Sequence, residues 1–164
     1  MQVLYTENDL QSIKAQLKKR KIVLLLISVV FLALVVYTLV IDDHKENRPE
    51  VWTTVFVMLW GFSFIFFWDM FCQPLRKYIQ HLEYSLHGRS HEVEVEFSHW
   101  DAEDSVVEGV RFRDAIFLGE ANKHGERDRM FYWDIEKPLP TFSQGDSVLV
   151  QYYDRFITGY EILN

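Results

Sequence analysis

The chain has 164 residues, 49% of them apolar and 16% aromatic, with a formal net charge of −7 at neutral pH. That length allows one small globular domain and little else, and the negative balance argues against a phosphate-binding surface as the main business of the protein. The single cysteine, Cys72, excludes an intrachain disulfide framework and reads as a buried or interfacial thiol.

Residues 1–21 carry "TENDLQSIKAQLKKR". Thr6 and Asp9 have the spacing of a capping box, and Leu10, Ile13 and Leu17 recur at helical intervals, so an amphipathic helix is expected there. Residues 22–41 hold no charge and match the thickness of a hydrocarbon core at about 1.5 Å per residue. The apolar run is too long for the core of a typical signal peptide, and no small-residue cleavage site follows, so it is expected to be a retained span.

Residues 42–50, "DDHKENRPE", form a polar loop, and 51–72 form a second apolar segment, with Trp52 and Trp68 near its ends. Asp69 lies at the end of that segment within reach of Arg76 or water. Gly61 and Ser63 would allow a close helix approach. Lys14, Lys18, Lys19, Arg20 and Lys21 precede the first span, and Arg76 and Lys77 follow the second. The loop between has only Lys45 and Arg48 among four acids. The bias predicts both termini in the cytoplasm, and a bacterial inner membrane suits so compact a two-span chain.

Residues 73–88 predict a connector helix, with Pro74 in its first turn, Leu75, Ile79, Leu82 and Leu86 on one face, and Gly88 as a left-handed stop. Self-association through that face is a second use for it. From His91 the apolar period becomes two, which predicts strands over 89–164. Val93, Val95 and Phe97 alternate with glutamates. Val110 and Phe112 alternate with Arg111 and Arg113 after a bulge or bend at Gly109. Phe131, Trp133 and Ile135 alternate with Met130, Tyr132 and Asp134. A Gly145–Asp146 turn leads into Val148, Val150 and Tyr152, and a final strand has Phe156, Thr158, Tyr160 and Ile162 on one face. The expected class is an α+β membrane protein: a two-helix transmembrane hairpin followed by a small antiparallel β-barrel or sandwich of about five strands.

The glycine-aspartate turn before "SVLVQYY" and the short last strand resemble small barrels of the OB or SH3-like kind. In outline, the whole chain resembles bacterial two-span proteins with a soluble barrel, such as the NfeD-like group. That likeness implies architecture and carries no residue roles.

Residues 88–164 hold eight Lys/Arg against sixteen Asp/Glu, so this half carries the acid excess and nucleic acid is an unlikely partner. Anionic lipid should also repel the domain from the bilayer surface. No glycine-rich phosphate loop, nucleophile elbow, HExxH or CxxC occurs, and no enzyme activity or cofactor is expected. "SHWDAED", with His99, Asp101, Glu103 and Asp104, and "NKHGERDR", with His124, lack diagnostic metal spacing and read as solvated loops. The aromatic excess is the stronger signal. Alternation turns Tyr132 and Tyr153 away from the core side, and Trp100, Tyr132 and Tyr153 with Arg111 and Arg113 are the expected protein interface. The expected function is a membrane-anchored interaction module, a scaffold or assembly factor or an accessory subunit of a membrane complex. The partners are then the bilayer and either another protein or a second copy. The alternative is a homo-oligomeric channel or transport-like assembly with a ring of cytoplasmic barrels.

Overall fold

The computed structural model describes residues 1–40, 49–119 and 127–163. Most of the 42–50 loop and the segment from Asn122 to Gly125, with His124, lie outside the described residues. The described chain divides into two compact units. One joins Met1–Ser12 to Lys77–Asn164, and the other is Ile13–Arg76.

The Ile13–Arg76 unit holds most of α1 (Glu7–Val40) and all of α2 (Pro49–Phe67). Both helices are long and apolar enough to cross a membrane. They pair antiparallel. Arg20 Nη1 donates to the Phe71 carbonyl at 2.8 Å, and Thr38 Oγ1 meets Thr53 Oγ1 at 3.1 Å. Eighteen residues separate those contacts on each helix, about 27 Å of rise. Among the described residues of this unit, Leu24 and Cys72 are the buried side chains, while Leu25, Leu26, Phe62 and Ile65 are more than half exposed. Gly61 does not serve a close approach within the chain, because a methyl group added there would meet nothing within 4 Å.

Pro74 does not open a new helix. The helical run continues from α2 through a π turn at Trp68–Cys72 into α3 (Gln73–His87). A proline inside an α-helix removes a hydrogen-bond donor and crowds the carbonyl four residues back. The wider turn just before Pro74, closed by Gln73 N–H to the Trp68 carbonyl, accommodates that defect.

The other unit is built on a six-stranded sheet of β1 (Gln2–Val3), β2 (His91–Val107), β3 (Val110–Leu118), β4 (Asp128–Asp134), β5 (Ser147–Tyr153) and β6 (Phe156–Ile162). The order is β1-β6-β4-β3-β2-β5, and β5 also pairs with β6, so the row of pairings returns to a strand already passed. All pairings are antiparallel except a single parallel bridge, Tyr132 to Phe156, between β4 and β6. The sixth strand is the N-terminal β1, where the sequence suggested helix. Helix α1 begins only at Glu7, behind the reciprocal pair of Thr6 N–H to Asp9 Oδ2 at 3.0 Å and Asp9 N–H to Thr6 Oγ1 at 3.3 Å.

Val95, Phe97, Phe112, Phe117, Phe131, Trp133, Val148, Val150 and Ile157 form the core. Several local expectations change. Glu108 and Gly109 both have positive φ, 52° and 82°, between the paired Val107 and Val110. That is a two-residue type I′ hairpin turn and not a bulge. On β6 the predicted single face breaks at Thr158. Tyr160 pairs with Val150 but Ile157 pairs with Tyr152, so Thr158 is one extra residue. The bulge flips the alternation. Ile157 turns into the core, and Phe156 faces the other way. The "SHWDAED" segment is not a loop but part of β2, carried through two register shifts with its acids exposed. Gly88 does not lie in the left-handed region. It is needed for space, since an added methyl carbon would sit 2.3 Å from the Tyr84 carbonyl oxygen and 2.6 Å from the Tyr153 ring.

Candidate functional site

Asp134, expected on the solvent side of β4, is 1% exposed. Burying a carboxylate is costly unless hydrogen bonds replace its water. Tyr78 of α3 donates its hydroxyl to Oδ2 at 2.6 Å, and the Glu136 N–H donates to Oδ1 at 2.9 Å. Tyr5, beyond β1, lies near enough for the Asp134 charge to act on it. Burial first, and then the neighbouring Asp134 charge, raise the pKa of Tyr5 well above its ordinary value. Burial and the Asp134 hydrogen bond do the same to Tyr78, so both phenols stay protonated donors.

The Tyr5 oxygen lies 3.1 Å from His81 Nε2. Which of the two donates is set by the His81 tautomer. Burial pushes the His81 pKa down to about 4, opposed in part by Asp134, and the ring is neutral. It sits edge-on to Phe112 at 5.0 Å and to Phe156 at 4.8 Å. Lys137 completes the knot. It pairs with Asp9 at 2.8 Å and stands 5.5 Å over the Tyr5 ring, and its hydrogen bond is the main reason the Asp9 pKa falls below its ordinary value. The cluster therefore fastens the N-terminal segment, α3 and β4 together.

A cleft of about 580 Å³ opens beside this knot. His81 and Tyr84 line it from α3, Arg89 and His91 from the start of β2, and Tyr153 and Asp154 from the β5–β6 turn. Glu108 of the hairpin turn and Phe156 complete the wall. Tyr84, 49% exposed, stacks on Tyr153 with ring centres 6.1 Å apart and planes 8° from parallel. The cleft thus presents flat rings together with cationic and carboxylate side chains.

The five residues singled out from the sequence are not gathered in one place. Tyr153 is in the cleft. Tyr132 is half-buried and packs on Phe112 and on Phe156, whose ring forms part of the cleft wall. Trp100 belongs to a different cluster, stacked on Phe142 at 5.9 Å and edge-on to Trp133 at 5.9 Å. Arg113 pairs with Asp104 at 3.1 Å, and Arg111 is exposed two residues away on the same strand. Sequence reasoning missed His81, Tyr84 and Phe142. Tyr78, His81 and Ser85 recur at helical spacing beside the leucine stripe of α3, and that second stripe was the available signal. Among the described residues, no group of three His, Cys, Asp or Glu side chains is placed to hold a metal ion. No protein-family model, curated protein or solved structure matches the chain.

Proposed function

We propose that this chain is a two-span membrane-anchored interaction module, a scaffold or accessory subunit, whose cytoplasmic sheet domain closes as a small barrel of the OB or SH3-like kind and holds a protein partner in the Tyr84–Tyr153 cleft. Support for the anchor comes from the density of exposed large apolar side chains along α1 and α2, far beyond the patches a soluble monomer leaves open. A second support is the way the chain enters and leaves the sheet unit. It departs after Ser12 and returns at Lys77, so two helices placed in a bilayer between these points would cross it an even number of times. The basic flanks at Lys18–Lys21 and Arg76–Lys77 favour the cytoplasmic side for that unit. Closure of the barrel is supported by the second pairing of β6, with β5.

The observation that carries the interaction reading is exposed Tyr84 stacked on half-buried Tyr153, on a cleft rimmed by Arg89, Glu108 and Asp154. Large aromatics beside charges are the common anchors of protein interfaces. The test is gentle extraction of the C-terminally tagged chain, identification of what stays bound, and the mass of the intact particle. One unrelated protein in fixed stoichiometry is expected. Tyr84→Ala should lower its recovery at least tenfold without changing the thermal midpoint of the sheet domain. Undiminished recovery with Tyr84→Ala would move the contact elsewhere. A closed particle of identical copies alone would replace this reading with the channel-like assembly.

A further inference from the structure

A second concavity lies wholly within the Ile13–Arg76 unit. It is a groove of about 430 Å³ lined by Val23, Leu24, Ile27, Phe67, Phe71 and Cys72, with Lys19 and Arg20 at one end. Its volume falls in the ordinary range of small-molecule sites, about 300–1,000 Å³. The polarity is graded, with aliphatic and phenyl side chains along the length and two cations at one end.

Lys19 and Arg20 stand in a run of four cations, Lys18 to Lys21, that directly precedes the uncharged stretch opening at Ile22. Among the described residues, no carboxylate pairs with any of the four. Arg20 spends one donor on the Phe71 carbonyl and lies 6.0 Å from the centre of the Phe71 ring, which holds the guanidinium at the mouth of the groove. Lys21 stands 5.9 Å from the centre of the Trp68 ring, on the other flank of the π turn.

We propose that this groove seats an acyl chain of an anionic phospholipid, whose phosphate is held by Lys19 and Arg20. The proposal rests on the two-span reading, which puts the four cations at headgroup depth. Basic pockets at the ends of membrane helices recognise anionic headgroups, and arginine can grip a phosphate with two parallel hydrogen bonds. A second copy of this chain is the poorer occupant, because a symmetric mate would bring its own four cations to the same end. A free phosphate would leave the apolar walls unfilled.

The experiment uses the full chain in mixed micelles holding equal amounts of phosphatidylglycerol and phosphatidylcholine with the same acyl chains, and weighs the intact complexes. Cys72, the one cysteine of the chain and 2% exposed, lines the groove and supplies a second readout through its rate of reaction with N-ethylmaleimide. Wild type should retain one phosphatidylglycerol at least fivefold over phosphatidylcholine, and phosphatidylglycerol alone should slow Cys72 labelling several-fold. Lys19→Gln, which leaves the other three cations to set orientation, should bring the preference close to one. Ile27→Trp, which fills the groove, should abolish retention of both lipids. Equal retention of the two lipids, or a preference unchanged by Lys19→Gln, would overturn the proposal. Flotation of the chain with vesicles separates the two levels. A chain that floats without lipid preference defeats only the lipid site, and one that fails to float defeats the spans and the site together.

Discussion

His81 is held neutral in the fold, and that has a measurable cost in acid. Its pKa lies near 4 in the folded protein against an ordinary 6.5, mainly because the ring is buried. The stability tied to this group is fully present above pH 6.5 and is lost as the pH falls toward 4, since the unfolded chain takes up the proton first. A loss of about 2–3 kcal/mol between pH 7.5 and 4.5 is expected. Urea-dependent hydrogen exchange of β4 and β6 in the full chain in micelles would read it. His81→Gln should start lower, because the Tyr5 hydroxyl loses its partner, and should then be nearly flat across the same window. Asp9, whose pKa is lowered, weakens the fold only in more acidic solution, as its carboxylate takes up a proton. None of this was legible from composition. A histidine on a short helix carries no mark of burial, since α3 holds both half-buried His81 and exposed His87, and Asp134 read as the outward partner of Tyr132. The carboxylate is inside because a tyrosine 56 residues away in sequence and the Glu136 N–H donate to it.

Among the elements, α3 and the β5–β6 corner depend on one close approach. Gly88→Ala would press a methyl carbon against the Tyr84 backbone and the Tyr153 ring. Overpacking of this kind costs roughly 1–3 kcal/mol, and the thermal midpoint of the sheet domain should fall accordingly. The β2–β3 hairpin offers the opposite change. Glu108 stands at φ 52° in a type I′ turn, a position that favours asparagine before glycine. Glu108→Asn is expected to raise stability by up to about 1 kcal/mol by the same measurement, since it removes a residue poorly suited to the left-handed region. Period-two patterning made β5 and parts of β3 and β4 readable through Phe112, Phe131, Trp133, Val148 and Val150, but it broke where Asp114 and Ala115, and Trp133 and Asp134, are buried side by side. It failed on β6 for a definite reason. One extra residue, Thr158, reverses the faces, and no side chain announces a bulge. It failed on β1 because two residues are too few to show any period.

For the whole molecule, the two apolar stretches were the most legible feature, since length and lack of charge alone mark a helix able to cross a bilayer. The discontinuous sheet unit was not legible, because it depends on contacts between the first twelve residues and the last eighty-eight. It makes a sharp statement about topology. Reporters placed before residue 1 and after residue 164 should both be active in the cytoplasm, while a cysteine introduced within 42–50 should react with an impermeant thiol reagent from outside. Reporters on opposite sides would be incompatible with Met1–Ser12 and Lys77–Asn164 sharing one unit. Both outside would reverse the orientation and leave the fold intact.

The ion pair from Lys137 to Asp9 bridges 128 positions of sequence, and everything that would enter the bilayer lies between its two ends. This sets an order of events during synthesis. Leu4 and β1 are made well before the β6 residues that pair with them. By the time β6 appears both apolar helices have emerged, and on the proposed two-span reading they are already in the bilayer. On that reading the Tyr5–His81 and Tyr78–Asp134 bonds form after insertion, and a chain whose second helix went astray would leave Asp134 short of its Tyr78 donor and β6 with an open edge. Unpaired edges of that kind are what quality-control proteases and chaperones meet first. On the two-span reading, a finished sheet would mark a chain whose membrane hairpin was correctly threaded.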